Sequence, residues 1–471
     1  MTHEMIRPDI LRTFQSKLYG RLILPHTPEY DNARKIWNGM IDKHPAMIVR
    51  CANYADVVST VLFARSMDIA LSVRGGGHNV AGSSLCDDGI VIDLSGMKGI
   101  MVDPVRRTAR AQAGLTLGEF ISATRQYGLA TTTGTVSDTG LAGLTLGGGM
   151  GWLMGKYGLA VDNLLSVEIV TADGQLLTAS PTQNAELFWG IRGGGGNFGI
   201  VTTFEFQLHP VKDVLAGMLL YPIHALRDVL RFYREFCVSS PDELIMGAGF
   251  VSTPEGIPAA VIALCYCGDM QEGERILAPL RAFGSPLIDT IGSMDYLDLI
   301  SMLNKGVPTG RNYYEKASTF KELNDATIDV IVEYATSLTS PFSQFLIQHV
   351  HGYVSRVDPE ATAAFALRGE HHLAVILAAW EEQVPVQHNR HIQWVSKFWS
   401  AMEPFAQQKV YINMLHEGDE RLRASYGPNY DRLVALKNQY DPTNFFHFNQ
   451  NIRPTVHTNH GDNQTSNTGG E

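Results

Sequence analysis

Apolar residues recur at helical spacing in "ADVVSTVLFARSMDI", at Val57, Val61, Leu62 and Ala64, and predict an amphipathic helix. The runs "IALSV" and "GIVIDL" that follow are short and apolar, and read as buried strands. "RTARAQAG" alternates polar and small residues, the period of a half-buried strand. Thr116 and Glu119 form a capping box that opens a helix to about Tyr127. "LLSVEIVTADGQLLTA" is two strands joined at Asp173-Gly174, a hairpin. "NAELFWGIRGGGGNFGIVTTFEFQLHPV" reads as a short helix, a glycine loop and a strand.

The texture changes near Pro210. From Val211 to about Val410 glycine clusters vanish, and strands such as "PAAVIALCYCG", "SQFLIQHVHGYV" and "HHLAVILAAW" alternate with helices such as "ATIDVIVEYATSL". This mixture predicts an antiparallel sheet backed by helices, and an α+β chain of two domains. "KVYINM" reads as a last strand, with Val410 and Ile412 on one face and Tyr411 and Asn413 on the other. "PNYDRLVALKNQY" is a helix stopped by Asp441-Pro442, and the polar tail 456–471 is expected to be disordered. The expected division is 1–210 (core about 43–212), 211–410, and a segment 411–455 that returns to the first domain.

Composition adds exclusions. At 471 residues the chain exceeds one ordinary core, and 45% hydrophobic with 18% charged residues suits a soluble enzyme. A net charge of -11 argues against nucleic acid or an anionic membrane as partner. Cys51, Cys86, Cys237, Cys265 and Cys267 show no metal or disulfide spacing, so a reduced, cytoplasmic protein is expected. Neither a signal core nor a membrane-spanning run is visible.

Three glycine runs carry the candidate chemistry: "RGGGHN", "TLGGGMG" and "RGGGGNFG". Glycine exposes backbone N–H donors and takes positive φ without strain, so such runs make nests for phosphate. Several loops of this kind suit a large ligand with a pyrophosphate and ring systems. Neither G-x-G-x-x-G nor G-x-x-x-x-G-K-[ST] occurs, which disfavours a nicotinamide enzyme or a kinase.

"IVRCANYADVVSTVLFARSMDIALSVRGGGHNVAGSSLCDDGIVIDLSGM" resembles the flavin-binding half of the vanillyl-alcohol oxidase and p-cresol methylhydroxylase superfamily. "GTVSDTGLAGLTLGGGMGWLMGKYGLAVDNLLSVEIVTADG" and "LFWGIRGGGGNFGIVTTFEF" continue the likeness in order. "YINM…YGPNYDRLVALKNQYDPTNFFHFNQNI" is similar to the C-terminal segment of berberine-bridge-enzyme-like oxidases. The resemblance implies FAD, with the pyrophosphate wrapped by Arg74, Gly75, Gly76, Gly77, His78 and Asn79, and the flavin bonded to His78. It implies further contacts from Gly82 and Ser83, and from Val136, Ser137, Thr139 and Gly140. Leu144, Gly147, Gly148 and Gly149 belong to the next loop, and Gly196, Asn197, Gly199 and Ile200 to the third. Tyr411, Asn449 and Asn451 come from the C-terminal segment. Many relatives carry a second link from a cysteine where "GTVSDTG" has Val136, so no cysteinyl link is expected here.

The resemblance implies hydride removal from an alcohol, amine or natural product, with molecular oxygen as final acceptor. Tyr411 and Asn413 match the family's Tyr-x-Asn next to the flavin; Tyr411 is read either as base or as a ring packed beside it. Met414 stands where many relatives have a second tyrosine. Thr139 lies in the segment expected over the edge that oxygen reaches. A dehydrogenase with another acceptor and a flavin carrier without turnover are the competing classes. His349 and His351, with His371 and His372, are read as ordinary strand residues, one of them facing the pocket, with no acidic partner at metal-site spacing. No metal is expected, and the chain is read as a monomer or homodimer.

Overall fold

Short apolar runs early in the chain pair into two small sheets. The computed structural model describes residues 6–253, 255–382, 385–416 and 418–455, so the expected tail at 456–471 lies outside the described residues. The first sheet holds β1 (Arg21–Ile23), β2 (Met47–Arg50), β3 (Leu71–Arg74) and β4 (Ile90–Asp93) in the order β1-β2-β4-β3. β4 is parallel to both β2 and β3 and is buried at every position, which is why it reads as an unbroken apolar run. The helix Tyr54–Ser66 connects β2 to β3, and Asn53 caps it by accepting from Ala55 and Asp56 amides.

The strands β5 (Ile100–Asp103), β6 (Thr108–Gln112), β7 (Leu129–Ala130), β8 (Leu164–Val170), β9 (Leu176–Ala179), β10 (Ile200–Gln207) and β11 (His209–Pro210) follow. Five of them make an antiparallel sheet ordered β5-β6-β10-β8-β9, while β7 pairs with β11. The expected β8–β9 hairpin is present, with Gly174 at φ 81 in its turn. The capping box is present too: Thr116 and Glu119 exchange side-chain and backbone bonds at the start of the helix Leu117–Thr124.

The third sheet is antiparallel. It comprises β12 (Asp213–Pro222), β13 (Leu244–Ser252), β14 (Pro258–Tyr266), β15 (Ile288–Asp289), β16 (Gly292–Asp295), β17 (Asn312–Phe320), β18 (Gln344–Val350) and β19 (His371–Trp380). Its order is β15-β12-β14-β13-β18-β19-β17, with β16 also on β12. Residue parity assigns its two faces. Phe250, Ile347, Ala374 and Ile376 pack against Leu230, Ile331 and Phe398 of the helices Leu226–Cys237, Asp325–Ala335 and Pro385–Met402. On the opposite face Ala317 and Leu373 join the core of the first half of the chain, together with Val350, Phe365 and Tyr411.

One expected strand is absent. Residues Ile412–Met414 form a 3-10 turn, closed by the Met414 amide on the Tyr411 carbonyl at 2.9 Å. Four alternating residues imitate a strand, but among the described residues no strand pairs with them.

Candidate functional site

β3 delivers its last residue and then the first glycine run. Arg74 is turned inward: its Nη2 donates to Asp93 Oδ2 at 2.7 Å, and Nη1 to the Ala33 carbonyl. Burial pushes the Asp93 carboxyl up, but Arg74 and Arg50 outweigh that and hold it below its usual range. The Arg74 side chain is therefore an anchor for the loop, and what Arg74 offers a ligand is its backbone. Among the described residues the amides of Gly76, Gly77 and Asn79 donate to no protein carbonyl, leaving a row of free donors.

His78 follows this row. Its ring lies on Trp37, centroids 4.4 Å apart, and Trp37 lies on Tyr313 of β17 at 3.7 Å. His78 Nε2 is buried with no hydrogen-bond partner. Burial lowers the imidazole pKa to about 4, so the ring is neutral at pH 7 and its nitrogen lone pair is available. Trp37 and Tyr313 were not legible as site residues. Nothing in the local pattern marks Trp37, and its partner is more than two hundred residues away.

The loop 134–140 meets the first glycine run back to back. A Cβ on Gly76 would stand 2.4 Å from the Gly140 amide nitrogen, and one on Gly140 would stand 2.3 Å from that of Gly76. Only glycine at both positions permits the approach. Val136 is half-buried beside it. Ser137 is pinned by its amide to the Ile300 carbonyl at 3.0 Å and by its hydroxyl to Asn304 Nδ2 at 2.6 Å. Thr139 is half-buried, and its amide donates to the Val136 carbonyl. Gly82 sits at φ 71 against Ile41, and Ser83 Oγ reaches Asn79 Oδ1 at 3.4 Å.

Gly147, Gly148 and Gly149 carry the C-terminal segment. A Cβ at Gly147 would occupy the place of the Asn413 amide, and Gly148, at φ 125, faces Phe365. The Tyr411 hydroxyl accepts from the Gly149 amide at 3.0 Å, the Met150 amide at 3.3 Å and Asn413 Nδ2 at 2.8 Å. Asn413 also donates to the Leu144 carbonyl at 3.0 Å. Tyr411 and Asn413 thus come together as expected, but across a turn and with their polar atoms used on each other and on the glycine run.

The third run kinks out of the helix Ala185–Gly194 at Gly193, φ 116. Asn197 ties it to the C-terminal segment, donating to the Gly194 and Gln450 carbonyls and accepting from the Ile452 amide at 2.9 Å. Buried Lys437 donates to the Asn197 carbonyl at 2.9 Å and to Asp441 at 2.7 Å. Gly199 lies against the Val170 carbonyl where β10 begins at Ile200. Asn449 donates to the Gly196 carbonyl at 3.1 Å. Asn449 Oδ1 and Asn451 Oδ1 are buried acceptors with no partner.

His371 lies opposite Val350 and shares the parity of Leu373, on the face turned to the first half of the chain, while His349, His351 and His372 lie elsewhere. His349 stacks on His351 at 4.5 Å and on His372 at 4.9 Å. His349 and His372 are opposite each other in the ladder and share parity with Ile347 and Ala374, the helix-backed face. They are therefore turned away from the glycine runs. An acidic partner does exist: Glu370 Oε1 is 2.8 Å from His349 Nε2. No group of three His, Cys, Asp or Glu among the described residues is placed to hold a metal ion. Trp152 and Phe250 are buried core residues, and Tyr157 stacks on His209.

The orphaned nitrogen of His78, the two orphaned asparagine oxygens and the free amides fit a large ligand with a pyrophosphate and a reactive ring. Comparison with known proteins agrees. Residues 45–180 match the FAD binding domain model and 410–453 the berberine and berberine-like model. An FAD-linked oxidoreductase of Dictyostelium discoideum is 32% identical over 94% of this chain and 97% of its own. The (R)-6-hydroxynicotine oxidase of Paenarthrobacter nicotinovorans is 29% identical, over 93% and 97%. The crystal structure of 6-hydroxy-D-nicotine oxidase from Arthrobacter nicotinovorans superposes with TM-score 0.85 at 28% identity, covering 92% and 98%.

Proposed function

The chain belongs to the FAD-linked oxidoreductases of the berberine-bridge-enzyme-like kind, and from that premise we propose that it is an oxidase of small alcohols, amines or natural products, with FAD bonded to His78 alone and molecular oxygen reduced to hydrogen peroxide. His78 carries the reading. A neutral, buried imidazole whose Nε2 meets no protein group, beside a row of free amides, is suited to a covalent partner. Val136 cannot form a thioether, so the link is single.

FAD, when bound, supplies a two-electron acceptor. The amides of the first glycine run receive the pyrophosphate. Asn449 and Asn451 offer acceptor oxygens to the ring system. Tyr411 holds the Gly149–Met150 backbone in place, and Thr139 leaves a small side chain on the side assigned to oxygen. Five thiols, none in a disulfide, suit a cytoplasmic setting.

Acid precipitation tests the link. The yellow colour should stay in the pellet, and a digest should place flavin on the peptide holding His78 and none on that holding Val136. Flavin released into the supernatant would remove the covalent assignment. Turnover of a donor without oxygen uptake would remove the oxidase assignment.

A further inference from the structure

Tyr313 and Glu315 alternate on one face of β17, the face turned to the first half of the chain. At one end of that face Tyr313 closes the stack on Trp37 and His78. At the other, Thr319 Oγ1 donates to the Lys409 carbonyl, two residues before Tyr411. Glu315 stands between them. Its own carbonyl accepts from His416 Nε2 at 2.7 Å, but among the described residues no donor or cation meets its carboxyl. A buried, unpaired carboxyl is costly and needs a reason.

The surface beside it is apolar along β19, while β18 adds half-buried Gln344 and Gln348 on either side of Leu346. Leu377 faces Glu315 across the ladder, and Val375 and Leu346 continue the same face. Gly247 and Gly249 extend it on β13. The one atom within 4 Å of a Cβ at Gly247 is the Ile347 carbonyl oxygen at 3.5 Å, so the sheet is bare there.

Resting on the flavin-oxidase reading, we propose that Glu315 receives the substrate's proton, and that the substrate carries one N–H or O–H on the carbon that is oxidised and an apolar body that rests on Leu377, Val375 and Leu346. In a donor H–C–X–H, X being oxygen or nitrogen, the X–H bond breaks and its proton goes to the Glu315 carboxylate. The C–H bond breaks with both its electrons, which leave as hydride to the FAD oxidant. A C=X bond forms, and the donor is oxidised by two electrons. Burial alone raises the Glu315 carboxyl to about 7, which suits a base at neutral pH. The titratable neighbours are Tyr313 along the strand, His416 on its carbonyl and His78 beyond Trp37; Lys316 points the other way, over Trp399.

Benzylamine, a cation that matches this chemistry, tests the assignment by calorimetry on the holoenzyme. Binding should be about tenfold tighter at pH 8 than at pH 6, because the carboxyl ionises in that interval. Glu315→Gln should bind weakly and equally at both. Infrared difference spectra should show a protonated-carboxyl band lost from pH 6 to pH 8, and absent in Glu315→Gln. Glu315→Leu serves if the glutamine variant does not accumulate. No binding by the wild type, no pH dependence, or a dependence kept by both variants overturns the proposal. Acid precipitation of the same preparations reads the His78 link separately. Flavin released there refutes the covalent link to His78 and leaves the infrared result on Glu315 standing.

Discussion

The indole of Trp37 lies flat on the imidazole of His78, with centroids 4.4 Å and planes 17° apart. The other indole face rests on Tyr313, so a strand of the third sheet braces the ring expected to hold the flavin. Trp37→Leu should lower acid-stable flavin per polypeptide and destabilise the fold by about 1–2 kcal/mol, the usual worth of such ring pairs. Unchanged flavin loading in the variant would mean that the stack does not orient His78.

Tyr411 and Glu315 should separate cleanly. Tyr411→Phe leaves the Gly149 and Met150 amides without their acceptor, at a cost of about 1–3 kcal/mol. Its melting temperature and flavin content should fall, while reduction of the flavin that remains slows less than about tenfold. Glu315→Gln should keep flavin content and slow reduction by about 10²–10⁴-fold, with reoxidation by oxygen unchanged. Anaerobic stopped-flow with a donor that bleaches the flavin resolves both. A large loss of reduction rate in Tyr411→Phe would return the base to the phenol.

The close approach of Gly76 and Gly140 predicts a severe effect from one methyl group. In Gly140→Ala the Cβ meets backbone at 2.3 Å, with no flexible side chain to yield. Soluble protein should fall sharply, and what remains should carry little flavin. Gly143→Ala is the control, since nothing lies within 4 Å of a Cβ there. Normal flavin loading in Gly140→Ala would show that the two loops do not meet.

Buried groups set opposed pH dependences. Burial and neighbouring histidines lower His372 to about 3 from 6.5, so the unfolded chain binds more protons in that interval. Stability therefore falls as pH drops below about 6.5, and the lowered His349 and His371 act in the same sense. Glu315, raised to about 7 from 4.5, acts in reverse: its folded form keeps the proton, and stability is lost as pH rises towards 7. Glu315→Gln should thus gain melting temperature on the wild type as pH rises from about 5 to about 8. Parallel melting curves for the two proteins would contradict this protonation.

Much of the fold was readable because its signals are local. The Thr116 capping box and the Asp173-Gly174 turn act within four residues, and both are present. The alternation Val410 to Asn413 misled because a strand is defined by its neighbour, which no local pattern reveals. The glycine runs were visible as donors, but which side chains they would leave free was not. That the Arg74 side chain anchors its loop shows only once Asp93 arrives from β4. Glu315 carried a signal in "NYYEKAST", a charge with the same parity as Tyr313 and Ala317, but only the finished sheet shows that this parity faces inward.

The arrangement of β17 against β13 has a consequence for how such proteins diversify. Tyr313 fixes one margin of the sheet to the cofactor loop, whereas Gly247 and Gly249 lie three strands away, where β13 meets β18 and β14. Side chains added at Gly247 would reshape the donor's berth without touching the Trp37 stack. Selection for a new donor can therefore act on one margin while the chemistry at the other is inherited intact.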